Sequence, residues 1–106
     1  MEGGGVQGLG FTLSEDVLLA QGRIITDNFD SYMMPAIGDA PERGRVFALE
    51  DLDDEFGPRG VGELGIGSVT PAVAAAIADA IGYWPAVTPI PPEALLAAMS
   101  KLGSMP

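Results

Sequence analysis

The chain has 106 residues and a formal net charge of −10, with no Cys and no His, yet 47% of it is hydrophobic. Fifteen acids against five Lys and Arg speak against a nucleic-acid partner, because phosphate binding needs cations, and against an anionic membrane surface. Disulfides and zinc–thiolate sites are excluded without Cys, and the mean hydropathy of +0.28 argues against disorder.

One domain at most fits this length, and such a chain buries about two-thirds of its unfolded surface. The combination of apolar content with 15 Gly and nine Pro suggests surfaces that a partner covers. Met1–Gly5 is glycine-heavy and reads as irregular in isolation. Val6, Leu9, Leu13 and Val17 recur at helical spacing and predict an amphipathic helix from Val6 to about Ala20. Gly8 and Gly10 inside it cost about 1 kcal/mol each relative to Ala, which is tolerable where a ligand or backbone must come close. Gln7, taken alone, is an ordinary polar residue of the first turn. Gln21–Gly22 reads as a turn and Arg23–Thr26 as a short strand. Residues 27–41 show no clear period, and Phe29, Tyr32, Met33 and Met34 read as core or interface. Arg45–Leu49 alternates and predicts a second strand.

Glu50–Glu55 is an acidic run. A calcium loop would need Gly at position six and Glu at position twelve. Counted from Asp51, those positions are Phe56 and Gly62, so a solvated acidic loop is the better reading. Farther on, Thr70 as cap and Pro71 as first residue predict a helix that runs to Ile81. Val69, Val73, Ile77 and Ile81 repeat along it every four residues, and Gly82 terminates it. Tyr83–Pro91 is Pro-rich and extended. Pro92–Lys101 forms a closing helix with Leu95, Leu96, Met99 and Leu102 on its apolar side, ended by Gly103. No run of about 18 apolar residues predicts a spanning helix, and no signal-peptide pattern opens the chain. The expected fold is α+β, a small domain of about three helices and two or more short strands.

The stretch from Phe56 to Ser68 stands apart. It holds one acid, Glu63, among Gly57, Gly60, Gly62, Gly65 and Gly67, whose backbone can approach another molecule closely. A helix N-terminus follows, and such ends attract anions. The run therefore combines a candidate base with a candidate anion cradle, although composition alone equally fits a turn with a solvated Glu. Two matches to Gly-x-Gly-x-x-Gly occur, at Gly3-Gly5-Gly8 and Gly60-Gly62-Gly65. That fingerprint requires a preceding apolar strand, which neither Met1–Glu2 nor residues 56–59 supply. Glu63 would also repel a pyrophosphate, so a dinucleotide site is excluded.

Four motifs in order carry a family resemblance. Gly60-Val61-Gly62-Glu63 followed by Thr70–Ile77 resembles the C-terminal end of the molybdenum hydroxylases, in the molybdopterin-binding large subunit of the xanthine dehydrogenase and aldehyde oxidoreductase family. Glu2–Gly10, with Leu13 and Glu15, resembles the family's Gln-Gly-Leu-Gly helix. Asn28–Pro35 resembles its Asn-Phe-x-x-Tyr-x-x-Pro segment, and Pro92–Ala98 its closing helix. The resemblance extends from Glu2 to about Leu102 and treats residues 1–106 as one unit, a fragment of the larger molybdopterin-binding domain with loop 56–68 at its centre. It implies that Glu63 is a general base beside the molybdenum, taking a proton from a metal-bound hydroxide that attacks an electron-poor carbon. Gln7 then lines the cofactor pocket, and Gly60, Val61 and Gly62 bind the cofactor. The pterin dithiolene holds the metal, with no protein ligand. The 2Fe–2S clusters and FAD sit on partner chains or domains. The implied partners are the rest of the molybdenum-binding subunit and the iron–sulfur and flavin subunits, in the cytoplasm.

There are departures from the family pattern. Gly57-Pro58-Arg59 replaces Gly-Ala-Lys before the motif, so the lysine's place falls to Arg59. Leu64-Gly65 replaces a pair of prolines, and Pro91 stands where the closing helix usually has a Thr cap. A full molybdenum-binding subunit is several times longer, which implies a split-off subunit, a truncated product or an excised piece that binds no cofactor alone. The alternative is a non-catalytic acidic interaction domain, or remnant, that self-associates into a homo-oligomer.

Overall fold

The computed structural model describes residues 1–42, 44–49, 52–57 and 59–103. Helix α1 spans Glu2–Leu13. A hairpin follows, with β1 at Leu19–Ala20 antiparallel to β2 at Arg23–Ile24. A short 3-10 turn covers Ile37–Asp39. Helix α2 spans Ile66–Ile81 and helix α3 spans Pro92–Leu102. This is the expected small α+β set of three helices and two short strands. None of the helices is long and apolar enough to cross a membrane among the described residues.

Helix α1 begins inside the stretch that sequence pattern leaves irregular, Glu2–Gly5, and its remainder, Val6–Leu13, lies within the predicted helix. Gly3, Gly4, Gly5, Gly8 and Gly10 lie within α1, an intrinsic cost of about 5 kcal/mol relative to Ala. Tertiary packing must offset that cost, as it does for most helices in proteins. The glycines are what make the packing close. A Cβ at Gly4 would lie 3.1 Å from the Gly62 carbonyl oxygen, and one at Gly8 would lie 2.8 Å from Val69 Cβ and 3.0 Å from the Ile66 carbonyl oxygen. Gly65 answers from the other side, where a Cβ would stand 3.1 Å from the Met1 carbonyl oxygen. α1 therefore lies with its backbone almost on the backbone of the α2 start.

Polar bonds at the far end of α1 complete this contact. The Thr12 hydroxyl donates to the Gly8 carbonyl at 2.6 Å and lies 2.7 Å from the Thr70 hydroxyl. With its one proton committed to Gly8, Thr12 accepts from Thr70. The Ile90 N–H donates to the Thr12 carbonyl at 2.7 Å, tying the segment before α3 to the same point. Among the described residues, Thr12 and Ile90 are the fully buried side chains, at 0% and 2% exposure.

The helix starts and ends differ from expectation. α1 stops at Leu13, not near Ala20, because the Ser14 and Glu15 N–H groups both turn back to the Gly10 carbonyl, at 2.9 and 2.8 Å. Residues 14–18 then lead into the hairpin. Gln21 and Gly22 form the expected turn, with φ of 50° and 76°, the pair of positive angles that suits a two-residue hairpin loop. β2 is two residues long, shorter than the expected Arg23–Thr26. Arg45–Leu49 is not a strand: among the described residues no segment pairs with it, and Leu49 is 95% exposed. α2 begins five residues before Pro71, so Thr70 does not cap it and Pro71 lies inside. A proline there removes one helical bond. The turn stands because Ile66 N–H reaches the Glu63 carbonyl at 3.1 Å and the first turn packs on α1. Gly82 ends α2 at φ 65°, as expected. α3 and its Gly103 cap also match expectation.

Residues 28–32 form a turn around Asn28. Its side-chain oxygen accepts the Asp30 N–H at 2.9 Å and its carbonyl accepts the Tyr32 N–H at 2.8 Å. Tyr32 is thereby aimed at Glu15, to which its hydroxyl donates at 2.5 Å. This bond, then burial and the carboxylate charge, raise the Tyr32 pKa above its usual 10.0.

A folded monomer of 10.9 kDa exposes about 5,600 Å², and a chain of this length has a radius of gyration of about 13 Å. The observed values are 8641 Å² and 17.7 Å. Val17, Leu19, Phe29, Phe47, Leu64 and Leu96 are among many large apolar side chains left exposed. The chain folds around one helix pair and leaves most of its apolar surface bare.

Two results are expected from this packing. Gly8→Ala should destabilise the chain by about 1–3 kcal/mol through overpacking, whereas Gly3→Ala, which meets nothing within 4 Å, should be stabilising by up to about 1 kcal/mol. Urea denaturation of both variants checks the contrast, and equal effects would remove the close contact. In a spectroscopic pH titration, Tyr32 should ionise above the ordinary tyrosine range, and Glu15→Gln should bring it back down. The direction follows from linkage: a raised folded pKa contributes stability below pH of about 10 that is lost as pH rises through the folded value.

Candidate functional site

The Gly60–Glu63 loop sits where two helices begin. α1 starts at Glu2 and α2 at Ile66, and Gly4 of α1 lies against Gly62 and Glu63, whose Cα is 3.8 Å from a Cβ built on Gly4. Two helix N-termini therefore flank one loop, and each carries a partial positive charge. Gly60, Gly62 and Gly67 have open space where a Cβ would stand. Within the loop, Leu64 N–H donates to the Val61 carbonyl at 3.3 Å. Among the described residues, the N–H groups of Gly60, Val61 and Gly62 have no acceptor. The Glu63 side chain is exposed and makes no hydrogen bond or ion pair among those residues.

Gln7 lies one helical turn beyond Gly4 and is exposed. Gln7 and Glu63 make no hydrogen bond to each other among the described residues. Pro58 of the loop, and Glu50 and Asp51 of the acidic run, lie outside the described residues. Ahead of the loop, Arg59 Nη2 donates to Asp54 Oδ1 at 2.8 Å, and its guanidinium lies 5.7 Å from the Phe56 ring centroid. Arg59 is therefore engaged with the acidic run and not with Glu63.

Sequence reasoning misses Gly4, Gly65, Thr12 and Thr70 as the residues that hold the loop against α1. The Gly4–Gly8 spacing of four is the available signal, since it puts two bare positions on one helix face.

The donor set discriminates between cofactors. No group of three or more carboxylates or other metal-ligating side chains occurs among the described residues, so this surface does not suit a metal held by side chains. Open glycines, free N–H donors and two helix N-termini suit an anionic organic group that the backbone touches. Molybdopterin is such a group. Grooves lie elsewhere on the chain. One of about 580 Å³ runs between the end of α2 and α3, past Ile81, Tyr83, Ala98 and Leu102. Another of about 450 Å³ lies by the hairpin, past Val17, Ile24, Asp27 and Phe29.

Residues 1–41 match the molybdopterin cofactor-binding domain family. The chain is 43% identical over 105 residues to a subunit of a probable xanthine dehydrogenase of Bacillus subtilis (strain 168), covering 97% of this chain and 14% of that protein. It is 36% identical over 104 residues to a probable hypoxanthine oxidase of Escherichia coli (strain K12), covering 94% and 11%. It is 38% identical over 97 residues to the gamma subunit of the 6-hydroxypseudooxynicotine dehydrogenase complex of Paenarthrobacter nicotinovorans, covering 86% and 12%. The chain thus spans 11–14% of the length of these relatives. Over nearly its whole length it carries molybdenum hydroxylase family sequence, with part of a molybdopterin cofactor-binding domain at its N-terminal end.

Proposed function

We propose that this chain supplies the general-base segment of a molybdenum hydroxylase of the xanthine or aldehyde oxidoreductase type. The observation that carries the reading is the loop itself: Glu63, unpaired and exposed, in a bare Gly60–Gly62 run between two helix N-termini. The relatives' names, a xanthine dehydrogenase subunit, a hypoxanthine oxidase and a dehydrogenase complex subunit, support the same class of reaction.

Each residue has a role of its own in this reading. The free N–H groups of Gly60, Val61 and Gly62 donate to anionic parts of molybdopterin, which the bare Cα atoms of Gly60 and Gly62 let approach. The Gln7 amide offers one donor and one acceptor group from the α1 side. Glu63 holds a proton at a carboxylate oxygen during turnover, as a general base does. Molybdopterin, when bound, supplies the two-electron redox chemistry of molybdenum. The chain has no Cys to ligate a cluster, so the 2Fe–2S centres of such a system belong to partner chains or domains, and this reading places FAD there too.

The exposed apolar area supports a partner. The total surface, polar and apolar together, exceeds that of a compact monomer by about 3,000 Å², an area comparable to an obligate interface. In this reading it seats on the remainder of a molybdopterin-binding subunit, and residues 1–106 act as one unit within that assembly. Self-association of an acidic remnant through the same surface is the second reading.

Glu63→Gln in the assembled enzyme should lower turnover by roughly 10²–10⁴-fold while the chain still co-elutes with its partner. Unchanged turnover would take Glu63 out of the chemistry. Purification from native cells, followed by metal analysis, should recover the chain with a larger molybdenum-containing polypeptide. Recovery as a metal-free homo-oligomer would select the second reading.

A further inference from the structure

Arg59 is the only basic side chain between Arg45 and Lys101, and it lies four residues before Glu63. A cation so near a carboxylate ordinarily pairs with it and favours its charged form. Here the guanidinium is turned away. Asp54 Oδ1 accepts from Arg59 Nη2 at 2.8 Å and from the Phe56 N–H at 3.0 Å. The Asp54 carbonyl accepts the Gly57 N–H at 3.4 Å, and Gly57 has φ 71°, which reverses the chain between the two partners. The Asp54 side chain is 18% exposed and that of Arg59 is 67% exposed, so the acid is held in the turn and the cation reaches it from the solvent side. Phe56 covers the guanidinium from one side.

We propose that Asp54 is a positioning residue that captures Arg59 and so keeps the Glu63 carboxylate free of a cation. The consequence for catalysis rests on the base role proposed for Glu63. The other charged groups near the loop are the Met1 amino group and Glu2 on α1, and Asp53 and Glu55 beside Asp54. The first turn of α2 carries no acid. None of these groups offers a side-chain cation in place of Arg59.

The test uses the assembled enzyme and the intact chain in parallel. In the enzyme, Asp54→Asn should move the acid limb of the pH–rate profile to lower pH by about half a pH unit, the effect of a unit charge about 5 Å away in water. Adding Arg59→Met to Asp54→Asn should return the limb to its original place. No movement, or no return, overturns the proposal, because a purely structural role of Asp54 would not be rescued by removing Arg59. Arg59→Met alone needs no altered turn and should leave the limb in place. A shift to higher pH would mean that Arg59 already serves Glu63. In the intact chain, NMR should show an Arg59–Glu63 contact in Asp54→Asn and none in the wild type. Its absence from the variant overturns the proposal even where Glu63→Gln abolishes turnover. Conversely, if Glu63→Gln leaves turnover unchanged while the contact appears, the base role fails and the charge partition stands.

Discussion

The fold depends on the approach of two backbones. α1 can lie on the start of α2 only because Gly4, Gly8 and Gly65 have no side chains at the contact. That contact offsets the poor helix propensity of α1 and holds α2 open five residues ahead of its proline. It also fixes the Gly60–Glu63 loop, which has little structure of its own, against the first turn of α1. Thr12 closes the far end of the same contact through Thr70 and Ile90. Loss of the close approach would therefore release both helix starts and the loop together.

Outside this helix pair the chain makes few apolar contacts with itself. A two-residue hairpin is marginal in water, and here its Leu19 and Ile24 side chains are exposed. The apolar side of α3 is similarly bare at Leu96 and Met99. Bare apolar surface of this kind suits a tight partner. On the proposed reading a partner supplies the neighbours that these apolar side chains lack, in a chain that spans 11–14% of the length of its relatives.

How far the sequence is legible follows from which forces are local. The turn at Gln21–Gly22, the stop at Gly82 and helix α3 are set by local chemistry, and their patterns show them. The start of α2 lies ahead of its capping signal because a tertiary contact with α1 outweighs Thr70–Pro71. α1 is shifted for the same reason, since glycines that weaken an isolated helix strengthen this one. Arg45–Leu49 has the alternation of a strand but no partner among the described residues, and a strand exists only as a pair. At the candidate site, the loop and Glu63 stand out by their bareness. The α1 glycines facing them and the Asp54–Arg59 pair do not, because sequence spacing carries no sign of where a turn points a side chain.

These features bear on where a base of this kind can work. Burial raises the proton affinity of a carboxylate, and a neighbouring cation lowers it. In this chain the cation is already removed, by Asp54, while burial is absent because nothing among the described residues covers Glu63. On the proposed reading the two halves of the site are therefore divided between chains. This one fixes the loop, strips it of side chains and keeps its acid unpaired. The covering surface that excludes water comes from the partner. The same apolar area that needs a partner for stability then also makes the base competent only in the assembly, which couples activity to correct association.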